Sequence, residues 1–233
     1  MLKHKVLHDP NHELNLAAIE LGRVLGPLDY VTSAWSGGST TELACYPFDA
    51  DFSQQQFLWR VSIATVAKDG TFTRFENTRR NLMVLKGGIQ LIHEGEHECS
   101  LLPFKQDKFS GRFRTSAKML EGGATNLNLM LKDGSDGDML HIALESGLSH
   151  HYALVHQVTD SDTPSSFSKA VDLLYNVDGE ILIRHSSTKQ EIHLRPGESF
   201  FISRNSSGRN GEVVIHNSGD TLANIVAVRI LHV

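Results

Sequence analysis

Residues 82–92, Leu82-Met83-Val84-Leu85-Lys86-Gly87-Gly88-Ile89-Gln90-Leu91-Ile92, read as a strand, a glycine turn and a second strand. The stretch Leu173-Leu174-Tyr175-Asn176-Val177-Asp178-Gly179-Glu180-Ile181-Leu182-Ile183 repeats that pattern in the second half of the chain. A Leu/Pro segment follows each, Leu102-Pro103 in the first half and Arg195-Pro196-Gly197-Glu198 in the second. Short apolar runs rich in Leu, Ile and Val and split by glycine suit buried strands. Their weak repetition predicts a duplicated small β-barrel.

The surrounding sequence extends this reading. Short β-branched and aromatic segments predict further strands at Thr40–Tyr46, Phe57–Val66, Ala117–Leu120, Leu127–Leu131 and Met139–Ala143, and again at His151–Gln157, Gln190–Leu194, Ser199–Ile202, Glu212–Asn217 and Ala223–Val233. Turn signals separate them, among them Lys68-Asp69-Gly70 and Asn217-Ser218-Gly219-Asp220. Many short strands argue for an all-β barrel or sandwich over a βαβ sheet. The exception is the N-terminus, where Asp9, Pro10 and the apolar spacing from Leu14 to Leu25 predict a short helix stopped by Gly26-Pro27. The expected organisation is therefore an N-terminal helical extension (1–30), a first barrel (31–158), a polar linker (159–168) and a second barrel half (169–233) packed with strands of the first.

Composition narrows the function classes. The chain has 233 residues, 22 Lys plus Arg against 27 Asp plus Glu, and a net charge of −5. With no basic surplus to neutralise phosphates, nucleic acid is not an expected partner. No apolar run approaches the roughly 20 residues of a membrane span. The polar start MLKHKVLHDPNHE lacks the apolar centre of a secretory signal, and two cysteines, Cys45 and Cys99, read as reduced thiols. A cytoplasmic protein without membrane contact is expected.

Catalytic machinery is not evident. The chain carries no G-x-S-x-G elbow, phosphate loop or papain-like cysteine signature. Cys45 reads as a small core residue. The 13 histidines include His93-Glu94-Gly95-Glu96-His97, but these two would need a turn at Gly95 to converge, and they read as solvent-exposed hairpin histidines. No metal, cofactor or catalytic residue is expected.

The strongest positional signal is Arg60. In Phe57-Leu58-Trp59-Arg60-Val61-Ser62-Ile63-Ala64-Thr65-Val66, alternation places Arg60 with Ser62 and Ala64, and Trp59 on the opposite face. The run Asn126-Leu127-Asn128-Leu129-Met130 groups Asn126, Asn128 and Met130 in the same way. A guanidinium among small side chains must be paired or meet a ligand, and its planar fork matches a carboxylate. Two readings stand side by side: Arg60 clamps a small organic acid, or it forms a structural ion pair with Glu42.

These segments resemble the HutD/Ves family. The resemblance is carried by Trp35-Ser36-Gly37-Gly38-Ser39-Thr40-Thr41-Glu42-Leu43, Tyr46-Pro47, Phe57 to Ala64, Phe72-Thr73-Arg74-Phe75, Arg80, Leu102-Pro103-Phe104, Phe109-Ser110-Gly111 and Asn128-Leu129-Met130. Arg195-Pro196-Gly197-Glu198 also looks like the turn of cupin barrels. The chain departs from the family pattern at Asn126, where many relatives carry an acid, and in lacking a Pro-Gly turn after Phe75. The resemblance implies a bicupin, often dimeric, so a homodimer is an expectation. It implies a non-enzymatic binder of a small carboxylate, of the formylglutamate or urocanate class, that regulates histidine catabolism. The implied pocket comprises Trp35, Thr40, Thr41, Glu42, Trp59, Arg60, Ser62, Asn128 and Met130. The alternative is a cupin enzyme acting on a small organic acid, either a metal oxygenase or a metal-free isomerase with Glu42 as general base.

Overall fold

The computed structural model describes residues 22–154, 167–185, 191–205 and 211–233. Among these residues there is no α-helix, only strands, turns and one 3-10 turn at Phe52–Gln54. The chain divides into two compact units, one spanning Tyr30–Ser135 and the other Asp136–Val233 with the segment ending at Asp29.

The Tyr30–Ser135 unit is a single eight-stranded sheet. It contains β2 (Val31–Trp35), β3 (Gly38–Tyr46), β4 (Trp59–Val66), β5 (Gly70–Thr71), β6 (Thr78–His93), β7 (His97–Leu101), β8 (Gln106–Ser110) and β9 (Thr115–Lys132), numbered after a β1 in the other unit. The main order is β2-β3-β4-β9-β6-β7, with β5 added to β9 and β8 to β6. The long strands β6 and β9 pair along their full length, from Thr78↔Lys132 to His93↔Thr115.

Here the structure corrects the sequence reading. Lys86-Gly87-Gly88 is not a turn between two strands; β6 continues unbroken through it. Ala117–Leu120 and Leu127–Leu131 likewise belong to one strand. The register shifts at Val84/Lys86 and Gly87/Ile89 instead, so Leu82 and Val84 before the bulges share a core with Ile89 and Leu91 after them. The glycine signal arises from close approach: Gly87 has φ +77, and a Cβ there would lie 2.1 Å from the Gly123 carbonyl oxygen. The bend folds the sheet onto itself around Leu82, Val84, Ile89, Leu91, Leu101, Phe109, Ala117 and Ala124.

The second unit has two antiparallel sheets. One has the order β1 (Arg23–Leu25), β15 (Ser199–Asn205), β12 (Lys169–Asp178), β17 (Ala223–His232), β10 (Ser135–Leu144). The other has the order β11 (Ser149–Leu154), β16 (Gly211–Asn217), β13 (Ile181–His185), β14 (Glu191–Leu194). Side chains from both, including Leu174, Phe200, Ile202, Ile183, Val213 and Ile215, share one core. The turn at Asn176–Gly179 is real, but it hands the chain from one sheet to the other. Asn176 is fully buried there, and its Nδ2 donates to the carbonyls of Gly179 (3.0 Å) and Leu194 (2.7 Å). Asn217 does the same for Leu144 (2.8 Å) and Thr221 (2.7 Å). Each amide supplies donors to carbonyls that the sheet ladders leave open at a corner.

The expected N-terminal helix falls mostly on residues 9–21, outside those described. Its expected last turn is a strand, since Arg23, Val24 and Leu25 pair with Phe201, Phe200 and Ser199. Helical spacing there was misleading because the same apolar residues serve a sheet edge. Most of the 159–168 linker also lies outside the described residues.

Candidate functional site

Register in the first unit lines polar side chains up on one face of β3, β4, β9 and β6. Three rungs cross these strands: Thr40–Ala64–Asn126–Val84, then Glu42–Ser62–Asn128–Leu82, then Cys45–Arg60–Met130–Arg80. A bulge between Glu42 and Ala44 brings Cys45, and not Ala44, opposite Arg60. Ser62, Asn126, Asn128, Met130, Arg60 and Arg80 are all buried, the two arginines at 6% and 8% exposure.

Both readings of Arg60 meet in this geometry. Its Nε–H donates to Glu42 Oε2 at 2.6 Å, so the ion pair is formed. Its Nη1 donates to Ser62 Oγ at 3.1 Å, and Phe52 covers the guanidinium with its ring centroid 3.9 Å away. Phe52 stands at the edge of an aromatic cluster with Phe57 and Phe75, placed by the 3-10 turn that Asp51 caps.

Arg80 is the residue the sequence reading left out of the site. It lies two strands from Arg60 with Met130 between them, ringed by Phe72, Phe75 and Phe109 at 5.0–6.0 Å. Among the described residues no carboxylate pairs with it. Its Nη2 donates to Asn128 Oδ1 at 3.3 Å, while its buried Nε–H meets no acceptor. Burial, and then the charge of Arg60, push the Arg80 guanidinium down to about 10. The Asn128 amide in turn donates to Asn126 Oδ1 at 2.6 Å, which leaves the buried Asn126 Nδ2 without an acceptor. On β3, β4, β9 and β6 two guanidiniums share this face with one carboxylate, Glu42, and two donors are unmet; Asp107 of β8 continues the Leu82 rung and is bonded to His93 and His97. Cys45 contributes no charge, because burial first and Glu42 second push its thiol up to about 12.

The other expected residues divide. Thr40 shares the face, although its Oγ1 accepts from Trp35 Nε1 at 3.1 Å, and Trp35 stands half-exposed at the sheet edge. Thr41 points to the opposite face, bonded to Thr32 Oγ1 at 2.8 Å. Trp59 also points away, fully buried and stacked on Tyr46. Strand alternation anticipates both placements. Arg80 was hidden because Thr78-Arg79-Arg80-Asn81 gives two adjacent arginines without an apolar context to tell them apart.

A second cluster lies where β6 and β7 meet. Gly95, at φ +79, turns the chain so that His93 and His97 are direct partners. His97 is exposed as expected, but His93 is buried at 2% exposure. Burial pushes the His93 imidazole down in spite of Asp107 beside it. Burial would raise Asp107, but hydrogen bonds from His97 and His93 prevail and hold its carboxyl below the usual range.

A sheet bent onto itself around a row of buried polar side chains defines an all-β, cupin-like protein, and the comparisons agree. The family model described as HutD matches residues 28–223, and the chain belongs to that family. A 21.2 kDa protein from the hutC 3′ region of Pseudomonas putida is 34% identical over 111 residues, covering 46% of this chain and 57% of its own length. Protein Ves of Escherichia fergusonii is 32% identical over 108 residues, covering 46% and 54%. The chain thus spans little more than half the length of these curated relatives. Among solved structures, HutD from Pseudomonas fluorescens superposes with TM-score 0.64 at 20% identity, over 91% of this chain and 98% of that one. An oxalate decarboxylase from Lactobacillus farciminis superposes with TM-score 0.59 at 8% identity, over 88% and 85%, and shares the fold alone. No helix among the described residues is long and apolar enough to cross a membrane.

Proposed function

We propose that the chain is a non-enzymatic binder of a small carboxylate, of the formylglutamate or urocanate class, that regulates histidine catabolism. The observation that carries this reading is the pair of unmet buried donors, Arg80 Nε–H and Asn126 Nδ2, with Arg80 a buried arginine that forms no ion pair among the described residues. An uncompensated buried guanidinium is unfavourable until an anion arrives, and a carboxylate supplies both the missing charge and the missing acceptors. The three-rung row would hold the acid end between Arg80 and Arg60, with Asn126 and Asn128 meeting a polar group further along the ligand. Glu42 is committed to Arg60 and does not stand free as a general base. Family membership, and the naming of one relative by its place beside hutC, support the histidine-catabolic setting.

A thermal-shift screen against formylglutamate, urocanate, histidine, glutamate and formiminoglutamate tests this reading. A ligand at about 100 times its Kd stabilises by roughly 2.7 kcal/mol, or a few degrees at this size. A shift with a carboxylate that disappears in Arg80→Met supports the proposal; no shift with any of them refutes it.

A further inference from the structure

The His93, His97 and Asp107 side chains form a three-donor constellation beside the arginine-lined face, with Phe109 between His93 and Arg80. We infer that it is a binding site for one divalent ion of the zinc class, held by His93 Nε2, His97 Nε2 and a carboxylate oxygen of Asp107.

Geometry carries the inference. The three donor atoms lie within 4.8 Å of one another. His93 Nε2 is 2.9 Å from Asp107 Oδ2, and His97 Nε2 is 3.1 Å from the same oxygen. Tetrahedral zinc with bonds of about 2.0–2.1 Å spaces its ligand atoms by about 3.3 Å, so slight spreading of the three donors admits the ion. The backbone already holds them together. His93 and His97 face each other across the β6–β7 hairpin, while β8, paired to the first half of β6, delivers Asp107.

The surroundings fit a built site. His93 Nδ1 lies 2.8 Å from the buried Thr115 Oγ1, and the ring packs against Phe109, with centroids 4.4 Å apart. A hydroxyl both donates and accepts, so Thr115 holds the ring in either tautomer and leaves Nε2 directed at Asp107. Such outer partners orient ligating histidines in known metal sites. Two imidazoles and one carboxylate favour zinc, nickel or cobalt over magnesium or calcium. The exposed side of His97 and the Cys99 thiol, hydrogen-bonded to Asp107, border the fourth position.

The test uses the full chain, stripped with a chelator and titrated with Zn²⁺ by calorimetry and with Co²⁺ by visible absorption. The expected result is one equivalent bound, with tetrahedral cobalt bands. His97→Ala, which removes one donor at a partly exposed position, should weaken binding by about 100-fold, and Asp107→Asn should abolish the cobalt bands. The paired control, Arg184→Met in the exposed Arg184–Glu191 pair of the other unit, should leave both unchanged. No saturable binding, or binding equally tight in His97→Ala, would overturn the assignment; the latter result would place the ion on other histidines.

Discussion

Replacing Arg80 by methionine separates a ligand-binding arginine from a structural one, because the two roles predict opposite signs for stability. Arg80 is 8% exposed, pairs with no carboxylate among the described residues and is pushed down to about 10, first by burial and then by Arg60. Keeping it charged in the ligand-free protein therefore costs on the order of 3 kcal/mol. Since the folded-state value lies below the unfolded one, that cost is present throughout neutral pH and is relieved only as pH rises through about 10. Methionine replaces the stem and removes the charge. It forfeits the long bond to Asn128 Oδ1 and the contacts with the Phe72 and Phe109 rings, together about 2 kcal/mol. The net expectation is a gain of about 1 kcal/mol, seen as a rise in Tm of about 2–4 °C. The assay is thermal unfolding by circular dichroism in chloride buffer free of carboxylates. A loss of more than about 2 kcal/mol would mean that Arg80 is a satisfied structural residue, and would refute the reasoning.

Three further perturbations probe other parts of the structure. Glu42→Gln removes the partly exposed partner of Arg60 and adds one unit of positive charge to the face; it should cost about 2 kcal/mol in urea unfolding yet tighten carboxylate binding by about tenfold. Asn217→Ala leaves the carbonyls of Leu144 and Thr221 without their donor, and the urea midpoint should report a loss of about 2–3 kcal/mol. In a Cys99→Ser background, Cys45, pushed up to about 12, should alkylate with iodoacetamide at pH 8 on the order of 10³ times more slowly than an unfolded control. A rate within tenfold of that control would place Cys45 in a far more open environment.

Strand alternation around Arg60 put Ser62 on its face and Trp59 on the other, and the structure has both there. The Asn126–Met130 alternation found the neighbouring strand, because period two holds wherever a strand runs straight. It failed at bulges. The shift between Glu42 and Ala44 carries Cys45 onto the site face, and the shifts around Gly87 turned an expected hairpin into one bent strand. Glycines at a close backbone crossing look in sequence like glycines in a turn. The place of Arg80 beside Met130 is set by the β6–β9 register, which no local pattern encodes. The convergence of His93 and His97 hung on the single turn at Gly95, and the burial of His93 depends on Thr115, Phe109 and Phe113 from β8, β9 and the loop between them.

The most direct measurement is isothermal titration calorimetry of formylglutamate and urocanate into the purified protein and into Arg60→Met, Arg80→Met and His97→Ala. The expected result is saturable binding of one carboxylate by the parent chain and by His97→Ala. Loss of either arginine should weaken it by about 2–5 kcal/mol, on the order of 30-fold or more. Binding that survives unchanged in both arginine variants would contradict the proposed role of this face.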